Sequence, residues 1–108
     1  MLKEVKEALF VTEPDFDTAI ADLIKEAVAD LRIAGVVYYE GTIDFSYGED
    51  GTVAESCSIT DDLIIRFIKT YARVNFGSPP DYDRLKASLD MQRRTLQHST
   101  GYGRAEAY

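Results

Sequence analysis

The chain has 108 residues, a net charge of −7, one cysteine and one histidine. This length supports one domain with a modest core, and no apolar run reaches the ~20 residues of a membrane span. A single cysteine excludes an internal disulfide or thiolate cluster, and the acidic balance argues against a dedicated nucleic-acid binder, which needs clustered Lys and Arg.

The opening MLKEVKEALF is amphipathic and carries acids, so it reads as neither a signal nor a transit peptide. A soluble protein made in the cytoplasm of its cell is expected. Residues 2–10 fit a short first helix with Leu2, Val5, Leu9 and Phe10 on one side. Thr12 can cap the next helix, and Glu13-Pro14-Asp15 is a helix-start signature. The second helix is expected from about Pro14 to Ala34. Phe16, Ile20, Leu23, Ile24, Ala27, Val28, Leu31 and Ala34 give its apolar stripe, and Gly35 closes it.

Residues 36–58 are different in kind. They carry five acids, no base and three of the seven glycines, without a helical period. Thr42 to Tyr47 alternates, and Gly48-Glu49-Asp50-Gly51 is turn chemistry before Thr52-Val53-Ala54. A long acidic loop is expected, as a short β-hairpin or an extended flap. At 23 residues it is long for a passive connection, and such loops are usually functional.

The stretch Ile59–Gly77 reads as the central helix. Thr60 is the expected N-cap, with Asp61 and Asp62 at the positive end of the dipole. Gly77, followed by Pro79 and Pro80, ends it. Ile64, Phe67, Ile68, Tyr71, Ala72 and Asn75 follow helical spacing, and Leu63, Ile65, Val74 and Phe76 widen the apolar surface. A helix this apolar needs neighbours on more than one face. Its narrow polar strip, Arg66, Lys69, Thr70 and Arg73, is basic in an acidic protein. Ser78 can cap a fourth helix with Pro79 at its first position and a thinner stripe of Tyr82, Leu85, Leu89, Gln92 and Leu96. From His98 the sequence lacks a stripe. The fold class expected is therefore all-α: a four-helix domain over residues 1–97, with a short helix 1, long helices 2, 3 and 4, and a flexible tail at 98–108.

The residues offer little chemistry. A hydrolytic triad needs a histidine base, and His98 stands at the edge of the tail. Cys57 lies among acids, which raise a thiol pKa. Asp44, Glu49, Asp50 and Glu55 crowd the loop, but no register supplies both the central glycine and the twelfth-position glutamate of a calcium loop. The glycines do not lead from a strand into a helix as a phosphate loop requires. Adjacent Asp61 and Asp62 point apart and are explained by the dipole. No catalytic residue, metal site or cofactor is expected, and no enzyme. A helix-turn-helix would expose a basic recognition helix, whereas here the basic strip belongs to the most apolar helix.

Charge is unevenly distributed. Residues 1–60 hold 13 acids and 4 bases, net −9; residues 61–108 hold 6 acids and 8 bases, net +2. Opposite-signed halves suit a protein that stacks on copies of itself or on a polar partner.

The order of elements resembles a family. LKEVKEALFVTEPDFDTAIADLIKEAVADLRIAGV, an acidic loop, ITDDLIIRFIKTYARVNFG and SPPDYDRLKASLDMQRR together are similar to the small helical head–tail connector (adaptor) proteins of tailed bacteriophages and prophages, also described as phage DNA packaging proteins. The likeness covers residues 1–97. It is most specific at Asp62-Leu63-Ile64, Lys69, Tyr71, Asn75-Phe76-Gly77, Asp81-Tyr82 and Leu85. Two departures are the long loop, which varies in the family, and Asp62, where many relatives have proline. The resemblance implies a structural virion protein of the neck. Such proteins form a ring, dodecameric in the virion, beneath the portal protein after packaging. The ring extends the channel through which DNA passes without sequence-specific binding, and offers a surface to the next head-completion or tail protein. Arg66, Lys69 and Arg73 would then meet Asp44, Glu49, Asp50 and Glu55 of a neighbouring copy, and tail residues His98, Tyr102, Arg104 and Tyr108 would dock on the portal. A small helical DNA-binding or regulatory protein, and a generic dimerisation module, stay open as alternatives.

Overall fold

The structure, a computed structural model, describes residues 1–36, 41–77 and 79–98. Four helices are joined by one hairpin: α1 (Leu2–Leu9), α2 (Asp17–Ile33), β1 (Ile43–Tyr47), β2 (Val53–Cys57), α3 (Asp62–Asn75) and α4 (Tyr82–His98). A 3-10 turn, Pro14–Phe16, leads into α2.

The expectation of an all-α fold is corrected here. The molecule is mostly helical, but residues 43–57 form a two-stranded antiparallel sheet in the register Ile43↔Cys57, Phe45↔Glu55 and Tyr47↔Val53. The turn chemistry explains it. The Gly48 N–H donates to the Thr52 carbonyl at 2.8 Å, Gly51 takes a φ of 86°, and the Asp50 carboxylate accepts from the Thr52 hydroxyl at 2.8 Å. A two-stranded hairpin is marginal alone, so its position on α2 matters. Phe45 enters the core, and the Tyr47 hydroxyl donates to Asp22 at 3.2 Å. Lys25 Nζ lies 5.4 Å from the Tyr47 ring centroid. At the hairpin's base, Gly41 has a φ of 98°, and an added Cβ would collide with the Ser58 backbone.

Helix ends differ in detail from expectation. Asp61, not Thr60, caps α3: its carboxylate accepts from the Leu63 N–H at 2.9 Å and the Ile64 N–H at 3.3 Å. A carboxylate at this position also complements the dipole. Helix α2 proper begins three residues after Pro14. It ends as expected, with Gly35 at a φ of 90° and the Val36 N–H bonded to the Leu31 carbonyl at 2.8 Å. Helix α4 starts at Tyr82 and continues through His98, which is helical instead of part of a tail. Ser78, the expected cap, lies outside the described residues.

Helix α3 is the spine, packed against α1, α2 and α4. Phe67, Ile64, Ile68 and Ala72 are fully buried among Val5, Ile20, Ile24, Leu31 and Leu96. Helix α4 packs on α3 and reaches α2 through long polar side chains. Arg93 donates from Nε and Nη2 to Asp30 at 3.0 and 2.6 Å and from Nη1 to Asp90 at 2.8 Å, with its guanidinium 5.6 Å from the Phe67 ring centroid. Gln97 donates to the Ala34 carbonyl at 3.0 Å. Arg93→Met should leave Asp30 half-buried and without its partner, lowering stability by about 2 kcal/mol. A urea midpoint unchanged from that of the parent chain would refute this role.

Candidate functional site

Three basic residues share one face of α3 because they sit at i, i+3 and i+7. The structure divides them by surroundings. Arg66 is exposed at the mouth of a cavity of about 140 Å³ between α3 and α4, lined by Leu63, Ser88, Met91, Gln92, Thr95 and Leu96. Lys69 is half-buried and acts on Glu4 of α1. Arg73 is exposed in a groove at the other end of α3, with Leu9, Phe10, Phe76, Pro79, Pro80 and Asp81. Thr70, expected in the polar strip, is buried. Its hydroxyl donates to the Arg66 carbonyl at 3.0 Å and accepts from Gln92 at 3.1 Å, so it ties α3 to α4.

The four acids of the hairpin also separate. Glu49 and Asp50 stand exposed at the turn, and Asp44 is exposed on β1, where its carboxylate accepts from the Phe45 N–H at 2.9 Å. Glu55 is used inside the chain. It accepts from the Met1 amino group at 2.8 Å and the Leu2 N–H at 2.7 Å, which fixes the start of α1 on β2. The same amino group bonds Glu4 at 2.7 Å. That bond first, with Lys69 contributing, holds the Glu4 carboxyl below its usual range. Among the described residues no ion pair joins Arg66 or Arg73 to the hairpin acids. His98 is exposed at the end of α4, whereas Tyr102, Arg104 and Tyr108 lie outside the described residues.

Exposed apolar groups are what sequence reasoning misses. Phe10 is 91% exposed, Met91 66% and Leu63 42%. Phe10 and Leu63 count as stripe residues in sequence, because periodicity marks a helix's apolar side without showing how much of it is covered. No three His, Cys, Asp or Glu side chains gather as a metal set among the described residues, and no described helix is long and apolar enough to cross a membrane.

These features describe a small, mostly helical domain with exposed polar and apolar residues spread over several faces. A family model described as phage connector protein matches residues 1–103. The chain belongs to that family and is a phage head–tail connector protein, a structural component of the virion neck that associates with other head and tail proteins. No curated protein and no solved structure matches it.

Asp81 and Asp90 are likewise depressed, first by hydrogen bonds from Arg84 and Arg93 respectively, and Asp50 by bonds from Thr52. A carboxylate whose folded pKa is lowered stabilises the fold above its unfolded pKa and loses that contribution as it protonates. The melting temperature should therefore hold between roughly pH 5 and 7 and fall below about pH 4. A melting temperature that rises on acidification would contradict these assignments.

Proposed function

We propose that this connector forms a closed ring beneath the portal, dodecameric in the virion, which extends the DNA channel after packaging and presents a surface to the next head-completion or tail protein. The chain performs no reaction in this reading. The observation that carries it is the placing of opposite charges on different parts of one small domain. Glu49 and Asp50 are exposed at the hairpin turn, and Arg66 and Arg73 are exposed on α3 with no hairpin acid paired to them among the described residues. Side-by-side copies around an axis would bring the hairpin of one against α3 of the next, a heterologous contact that a ring repeats. Lys69, half-buried beside Glu4, and Glu55, bonded to the start of α1, would support that contact from behind.

The test is electron microscopy of the chain mixed with purified portal rings of the same phage. An added ring on the portal is expected from the parent chain. The double reversal Arg66→Glu and Arg73→Glu should weaken ring binding by at least about a hundredfold, since like charges across an interface cost several kcal/mol and each ~1.4 kcal/mol is tenfold. Full occupancy by this variant would remove the α3 strip from the interface.

The chain beyond Gln97, with His98, Tyr102, Arg104 and Tyr108, is proposed to dock on the portal. Truncation after Gln97 should preserve the circular dichroism spectrum of the helices while portal binding weakens. Undiminished binding by the truncated chain would place docking elsewhere. Salt-dependent duplex binding by the isolated chain would favour a DNA-binding protein over the ring.

A further inference from the structure

Phe10 closes α1 in the left-handed conformation, with a φ of 58°. Its N–H bonds the Glu7 carbonyl at 3.1 Å, and the Val11 N–H bonds the Lys6 carbonyl at 3.0 Å. It is the one residue other than glycine with positive φ among the described residues, and its ring is 91% exposed. A bulky residue is uncommon in this region of backbone space. The chain therefore holds an aromatic ring outward in a strained turn without covering it.

The cavity between α3 and α4 lies at the opposite end of α3. It is bordered by Leu63 and Met91, themselves exposed, and its volume is about 140 Å³. An apolar cavity of about 150 Å³ admits a benzene ring. Leu63 and Phe76, which mark the two ends, are separated by thirteen residues, about 20 Å along the helix. Phe10 belongs to the Phe76 end and cannot fill the cavity of its own chain. Charges around the two features are complementary. Glu7 and Glu13 flank Phe10 and are exposed, and Arg73 on its groove side faces Asp81. Arg66 lines the cavity, and exposed Arg94 stands one turn after Met91.

We infer that Phe10 of one copy seats in the α3–α4 cavity of the next copy, between Leu63 and Met91, with Glu7 and Glu13 facing Arg94 at the rim and Arg66 left to the hairpin acids of the proposed ring. The inference rests on the proposed ring and names its apolar anchor. The knob and the socket occupy different ends of the molecule, so the contact is head-to-tail and propagates until it closes. An aromatic anchor in an apolar pocket within a charged rim is the usual make-up of an interface hot spot. Met91 supplies an adaptable wall and a sulfur for the ring edge.

Disulfide trapping tests it. Chains carrying Cys57→Ser with either Phe10→Cys or Met91→Cys are oxidised mildly on purified portal rings, alone and mixed, and separated on non-reducing gels. Both positions are exposed, so the substitutions leave the core intact. The mixture should give a heterodimer at least several-fold above the homodimer of either chain. A chain carrying both cysteines should give a ladder of higher oligomers. Predominant Phe10→Cys homodimers would show a two-fold contact instead and overturn the proposal, as would the lack of a mixed disulfide. Electron microscopy of the parent chain on portal rings separates the two levels. A ring there without the mixed disulfide overturns this contact alone, and no ring overturns the reading it rests on.

Discussion

The need to cover α3 on three sides governs the rest of the molecule. Its buried residues, Ile64, Phe67, Ile68, Thr70, Ala72 and Val74, point toward more than one neighbour. Helices α1 and α2 take two sides, and α4 must take the third with a thin stripe of Leu85, Leu89 and Leu96. That stripe is too narrow to reach α2 as well. Arg93 makes up the difference: it lies over Phe67 and carries its charge to Asp30 and Asp90. Burial alone would weaken the charged guanidinium, but the two carboxylates outweigh that effect and raise its pKa. A small core is thus completed by a cation with an apolar flank.

Legibility of the fold in the sequence depends on how many turns each element has. Helices α2 and α3 run for 17 and 14 residues, long enough for a 3.6-residue period to show through individual exceptions. The hairpin strands have five residues each, and Phe45 is the only buried one. So short an alternation is offset by the acids and glycines around it, and the segment reads equally as an extended flap or a short hairpin. The α3 cap is misplaced by one residue because Thr60 and Asp61 are both good caps in sequence, and only backbone geometry chooses between them.

The charges are legible as a set and illegible as partners. Composition shows an acidic first half and a basic second half. It does not show that Glu55 is bonded to the start of α1, or that Thr70 has left the polar strip to bond Gln92. Both depend on contacts across more than twenty positions of chain. The same limit hides the pairing of Asp30 with Arg93, separated by 63 positions: helical dipole preference explains Arg93 adequately until the neighbouring helix is seen. Of the candidate contact charges, Asp44, Glu49, Asp50, Arg66 and Arg73 stay exposed without an ion pair among the described residues, a smaller set than the sequence offers.

That smaller set bears on how a connector can wait before assembling. A surface that buried all its apolar residues and paired all its charges within the chain would have nothing to offer a neighbour. One with a large continuous apolar patch would associate at once and without regard to partner. Here Phe10 and the Leu63–Met91 pair are exposed toward opposite ends of α3, and the hairpin-turn acids Glu49 and Asp50 lie on a different element from Arg66 and Arg73. Each contact by itself is weak in water, and those between charges are screened by salt. Joined on a template that fixes the copies side by side, they act together, because the template has already removed much of the freedom that association would otherwise have to remove. A domain stabilised by the internal straps of Arg93, Glu55 and Thr70, with its remaining exposed groups dispersed, suits the proposed assembly on a pre-existing ring better than assembly free in solution.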